Sequence, residues 1–103
     1  MVRARFIGQV RYGHFAEYLK AVEQLNEIAR ERGWAEATFW VSMAGTANEL
    51  FAEVDYPDLA TLERESKAQD ADAEWMKVIR GTADMVVQGY ARSELFRTAP
   101  QLA

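Results

Sequence analysis

The stretch that decides the fold runs Trp34-Ala35-Glu36-Ala37-Thr38-Phe39-Trp40-Val41-Ser42-Met43, then Ala44-Gly45-Thr46-Ala47-Asn48, then Glu49-Leu50-Phe51-Ala52-Glu53-Val54-Asp55-Tyr56. The first part alternates: Ala35, Ala37, Phe39, Val41 and Met43 fall on one side, and Glu36, Thr38, Trp40 and Ser42 on the other. The last part alternates too, with Leu50, Ala52, Val54 and Tyr56 on its apolar side. Alternation at period two marks a strand with one apolar face. Two such runs joined by a short segment of small residues that includes glycine predict a β-hairpin.

Working outward, Val2 to Tyr12 predicts another strand. Val2, Ala4, Phe6, Gly8, Val10 and Tyr12 share one side; Arg3, Arg5, Ile7, Gln9 and Arg11 share the other. His14 to Arg32 changes period. Phe15, Tyr18, Leu19, Val22, Leu25 and Ala29 recur at three- and four-residue spacing, which predicts an amphipathic helix. Gly33 follows as a C-terminal cap. After the hairpin, Pro57 and Asp58 open a short helix from Leu59 to about Ala68. A second short helix is expected over Asp70 to Arg80, carrying Trp75, Val78 and Ile79. Met85 to Phe96 alternates as a long last strand, and Thr98 to Ala103 reads as a tail.

The order strand-helix-strand-strand-helix-strand is ferredoxin-like. It predicts an α+β fold, one domain over residues 1–103, with a four-stranded antiparallel sheet and helices on one face. The other sheet face would then hold Ile7, Trp40, Phe51, Tyr90 and Phe96 among charges of both signs. So many large apolar side chains on an uncovered face are unusual for a monomer and predict a homodimer through that face.

Composition narrows the function. The 103 residues carry a net charge of -4. Ten acidic and two basic residues lie between Glu36 and Glu74. A nucleic-acid binder is expected to show a basic stripe instead. No run approaches the ~20 apolar residues of a membrane span, and no signal peptide is visible at the N-terminus. Cysteine is absent, which excludes disulfides, thiolate metal sites and cysteine nucleophiles. A cytoplasmic protein is the expectation. A lone histidine cannot build a His-rich metal site, and Asp70, Asp72 and Glu74 lack the glycine and glutamate of a calcium loop. Gly8, Gly13 and Gly33 are too far apart for a phosphate-binding loop, and no G-x-S-x-G motif occurs. No cofactor is expected.

The segments Thr38-Phe39-Trp40-Val41-Ser42, Gly45-Thr46-Ala47-Asn48-Glu49-Leu50-Phe51 and Asp72-Ala73-Glu74-Trp75-Met76, with the long first helix, resemble the dimeric α+β barrel superfamily. Within it the chain is most similar to NIPSNAP-like and antibiotic-biosynthesis-monooxygenase-like domains. The resemblance covers nearly the whole chain. It implies a face-to-face dimer and a pocket in each subunit between helices and sheet. Relatives include cofactor-free oxygenases of aromatic polyketides, polyketide cyclases and haem-degrading enzymes. The haem degraders carry an axial histidine on the helix before the last strand; Asp70 to Arg80 has none, so haem degradation is not expected.

Two kinds of candidate residue emerge. His14, the single histidine, is the candidate general base, because its ordinary pKa lies near working pH. Tyr18, Phe39, Tyr56 and Trp75 are the candidate ligand-binding residues, since aromatic walls with a few polar groups suit a small hydrophobic or aromatic molecule. The same aromatics equally describe a filled core. The sequence therefore leaves three readings: a cofactor-free monooxygenase or cyclase, a non-catalytic ligand-binding module, or a structural homodimer.

Overall fold

A computed structural model describes residues 1–100. The elements run β1 (Val2–Gln9), α1 (Phe15–Arg32), β2 (Ala37–Val41), β3 (Glu49–Tyr56), α2 (Leu59–Asp70), α3 (Ala73–Gly81) and β4 (Arg92–Arg97). The strands form one antiparallel sheet in the order β2-β3-β1-β4, the ferredoxin-like arrangement. The expected tail from Thr98 runs into residues 101–103, which lie outside the described residues.

The helices lie on the sheet face that carries Ala4, Val54 and Tyr56. These three are buried together, with Ala35, Ala37 and Leu62 of α2 packed on them. Val22, Ile28 and Ala29 bury the matching stripe of α1. Full burial of a side chain such as Val54 stabilises the fold by about 1.5–3 kcal/mol. Gly33 ends α1 at φ 74°, a left-handed conformation that glycine adopts without strain, and its N–H returns to the last carbonyls of the helix. Asp58 and Asp72 cap α2 and α3: their carboxylates accept the N–H groups of Thr61 and Trp75.

Several boundaries differ from the expectation, each for a local reason. β1 ends at Gln9 because the chain beyond it takes a new partner. Val10 bridges Val86, and the Arg11 N–H donates to Met85 O at 2.8 Å. β4 starts only at Arg92, not Met85. The intervening chain makes a short 3-10 turn over Ala83–Met85, then a second turn in which Gly89 takes φ 79°. α3 starts at Ala73 because Asp72 is its cap and not its first residue. β2 starts at Ala37 because its leading residues are held from the side. The Ala35 N–H donates to Glu65 Oε1 at 2.7 Å, and Ala37 bonds twice to the Asn26 carboxamide.

Candidate functional site

The level of each side chain between helices and sheet follows from the register. Ala37, Val54 and Ala4 form one row across the helix-facing side of the sheet. Asn26 of α1 is bonded to that row at Ala37. Up the helix from Asn26, Tyr18 stands about 12 Å higher. Up the strand from Ala4, Gly8 stands about 13 Å higher. Tyr18 and His14 therefore belong to the end of the helix–sheet layer that holds Gly8, and Tyr56 to the opposite end.

At the upper end the layer is uneven: Leu50, opposite Gly8, is buried, while Gly8 itself borders open space. Gly8 belongs to the helix-facing side of β1, and a Cβ built on it would meet no heavy atom within 4 Å. Below it, Phe6 faces the same side yet is 47 % exposed. Phe6 shares a row with Phe39, Ala52 and Ser93. Leu95 of β4, opposite Ala4, is 56 % exposed, because the helices do not reach over this edge. The floor at this end is thus the small residues Gly8 and Ala52, flanked by the rings of Phe6 and Phe39.

His14 occupies the N-cap position of α1 but makes no side-chain cap bond. Its Nδ1 is shut off from solvent with no hydrogen-bond partner among the described residues; the nearest acid is Glu17, whose Oε1 lies 3.5 Å away. The Tyr18 N–H donates to His14 O at 2.9 Å, and residues four apart share a helix face. Burial holds the half-buried Tyr18 phenol above its ordinary pKa. A neutral hydroxyl and an imidazole at the same end of α1 supply a donor and an acceptor for polar substituents of a bound aromatic molecule.

The lower end is closed. Tyr56 is buried in the cluster with Ala4 and Val54, onto which Ala35 and Leu62 pack. Burial first, and then the charge of Glu65, raise its phenol pKa. Glu65 is itself only 8 % exposed. Trp75 of α3 meets Trp34 edge to face, 5.6 Å between ring centroids and 84° between planes. The structure thus gathers His14, Tyr18 and Phe39 towards the open half, and sets Tyr56 and Trp75 in the packed half. Sequence reasoning passed over Phe6 and Gly8 as site residues. A glycine inside a strand was the available signal, since it often marks close approach by a ligand or another backbone. It gave no such signal for Asn26 or Glu65.

The uncovered sheet face is a lattice of charges and rings. Arg3 pairs with Asp55 at 2.7 Å, and Arg5 with Glu53 at 2.9 Å. The Arg5 guanidinium also sits 4.9 Å from the Phe96 ring centre. Trp40 is 53 % exposed, whereas Ile7 on the same face is only 2 % exposed. Tyr90 lies in the turn before β4, where its hydroxyl donates to the Glu49 carboxylate. Two open grooves mark this face. One, of about 310 Å³, runs past Trp40, Glu53 and Asp55; the other, of about 260 Å³, runs past Arg5, Phe96 and Arg97. Among the described residues, no cluster of three or more His, Asp or Glu could hold a metal ion, and no helix is long and apolar enough to cross a membrane.

This is the geometry of a ferredoxin-like α+β domain with open space beside Gly8 on the helix-facing side of its sheet. The chain belongs to the NIPSNAP family, whose family model matches residues 9–100. Its backbone is similar to that of protein Atu4242 from Agrobacterium tumefaciens, with TM-score 0.80 and 19 % identity over 96 % of this chain and 94 % of that one. It is similar as well to an uncharacterized NIPSNAP domain protein from Burkholderia xenovorans, with TM-score 0.79 and 17 % identity over 100 % and 99 %. An antibiotic biosynthesis monooxygenase superposes with TM-score 0.76 and 13 % identity over 97 % and 100 %. At such identities the likeness is one of fold. No curated protein matches the chain.

Proposed function

We propose that this chain is a small-molecule-binding homodimer that holds an aromatic, polyketide-like molecule between α1 and the sheet. The observation that carries this reading is the empty space above Gly8, beside a Phe6 ring left half-exposed on the side that should be core. Phe6 and Phe39 supply flat apolar walls, Tyr18 the polar contact, and Tyr56 and Trp75 the closed end. Such a mix of apolar lining and few polar groups is how small-molecule sites are built. The homodimer rests on Trp40 and Phe96, which leave apolar surface on the uncovered sheet face.

The reaction that suits this site is oxygenation, for which a structural neighbour, an antibiotic biosynthesis monooxygenase, is named, and here it runs without a cofactor. A methylene between two aromatic rings reacts with dioxygen to give a ketone and water. The substrate supplies all the electrons, one oxygen atom enters the C=O bond, and the other leaves as water. The step that needs the protein is removal of a proton from that methylene, and His14 is the base. The cleft contributes orientation. A non-catalytic binding module is the second reading. It is favoured by the lack of any acid or base other than the Tyr56 phenol on the helix-facing rows of β1, β2 and β3.

The test is an NMR titration of the protein with anthrone under anaerobic conditions, followed by admission of oxygen. Binding should shift the resonances of His14, the single histidine, and of Gly8. Oxygen should then yield anthraquinone faster than in buffer. Shifts confined to the uncovered sheet face would overturn the site, and binding without turnover would leave the module reading in place of the enzyme.

A further inference from the structure

The imidazole of His14 carries a polar atom that nothing answers. Its Nδ1 is closed to solvent and has no hydrogen-bond partner among the described residues. A buried polar atom is costly to leave bare. The side chain as a whole keeps 39 % of its surface exposed, so its open part lies away from Nδ1.

A neutral imidazole holds one proton and one lone pair on its two nitrogens, and the surroundings of each nitrogen decide which carries the proton. Two kinds of neighbour could answer Nδ1. The free N–H groups at the start of α1 would donate to a lone pair there, as they do to an N-cap side chain. The His14 side chain makes no such bond. The other neighbour is a carboxylate: Glu17, three residues on, has its Oε1 3.5 Å from Nδ1. A lone pair on Nδ1 would face oxygens that only accept, whereas a proton on Nδ1 faces an acceptor. The separation is longer than a hydrogen bond. The Glu17 side chain is 61 % exposed, however, and a small rotation closes the gap.

Resting on the reading of His14 as the base, we infer that Glu17 is the positioning residue of that base. It holds the neutral ring in the Nδ1–H form and leaves the lone pair on Nε2. The proton removed from the substrate methylene then lands on Nε2, and the positive charge of the imidazolium develops beside the Glu17 carboxylate. That proton passes on to the oxygen atom that departs as water. A carboxylate that keeps an imidazole in one tautomer and balances its charge is a recurring way to tune a histidine base.

Glu17 also has a structural use, as a negative charge in the first turn of α1. The tautomer separates the two uses, because a charge that only stabilises the helix start leaves the ring proton where it is. The experiment is a two-bond proton–nitrogen NMR correlation on the single histidine of the parent and of Glu17→Ala. The pH is raised until the ring signals stop moving, so that the neutral form is read. The parent should show a protonated Nδ1 and a bare Nε2, and Glu17→Ala should return to the Nε2–H form that histidine side chains favour in water. Anthrone turnover on the same samples should fall by about tenfold or more in kcat, with KM unchanged. A parent in the Nε2–H form overturns the inference, as does a Glu17→Ala ring that keeps its proton on Nδ1. A parent in the Nδ1–H form whose tautomer reverts in Glu17→Ala, but which never turns over anthrone, supports the pairing and removes the enzyme reading instead.

Discussion

The Asn26 side chain of α1 pairs with the backbone of Ala37 in β2 as a neighbouring strand would: Nδ2 donates to Ala37 O, and Ala37 N–H donates to Oδ1, both at 2.8 Å. One side-chain amide thus satisfies both groups that an edge strand would otherwise leave open. It also fixes the height of α1 along β2.

Asn26→Leu should therefore destabilise the protein by about 2 kcal/mol, the cost of leaving a half-buried donor and acceptor unpaired. Asn26→Asp should also destabilise, since a carboxylate accepts from Ala37 N–H but repels its carbonyl. Urea midpoints of the two variants beside the parent check this. A midpoint unchanged in Asn26→Leu would mean that water replaces the amide.

The Tyr56 phenol gives a signed alkaline prediction. Burial, and then the Glu65 charge, raise its pKa in the fold. The folded state thus favours the neutral phenol. Its contribution to stability is whole below the ordinary phenol pKa of about 10 and is lost as pH rises through the higher folded value. Glu65→Gln keeps an acceptor for Ala35 N–H but removes the charge, so Tyr56 should ionise at lower pH than in the parent. Tyrosinate absorbance, with Tyr56→Phe to assign the transition, reads the shift. No shift in Glu65→Gln would leave burial as the whole cause.

Gly8 separates binding from stability. A methyl group there meets nothing within 4 Å, so Gly8→Ala should stabilise by about 0.5–1 kcal/mol through lost chain entropy. Gly8→Phe should fold as a dimer and lose ligand binding, because its ring takes the ligand's space. Thermal melts and ligand titrations on the same samples check both. Unaltered affinity in Gly8→Phe would move the site elsewhere.

His14→Gln should abolish turnover while leaving ligand affinity within a few fold and the fold intact, because the imidazole Nδ1 makes no hydrogen bond among the described residues. The split between kcat and KM is the readout. Turnover at the parent rate would remove His14 from the chemistry.

Much of this architecture was legible in the chain, and the reasons are local. Alternation gave the faces of β1, β2 and β3, and three- and four-residue spacing gave α1. What the pattern hid was side-chain to backbone bonding. Asn26 lies in a helix and Glu65 in another, and neither spacing nor composition says that they reach β2. The break in the last strand was hidden too, since Met85 to Phe96 alternates throughout and only Gly89 hints at the turn. At the site, His14 and Tyr18 could be named from residue type. Phe6 could not, because an apolar residue on the core side of a strand reads as core whether or not a helix covers it.

The central claim is that the space above Gly8 holds a small aromatic molecule. The most direct measurement is native mass spectrometry of the parent and Gly8→Phe, each incubated with anthrone under anaerobic conditions. The account predicts a parent dimer carrying the added mass and a bare Gly8→Phe dimer. Equal loading of the two, or a parent that stays bare, would contradict it.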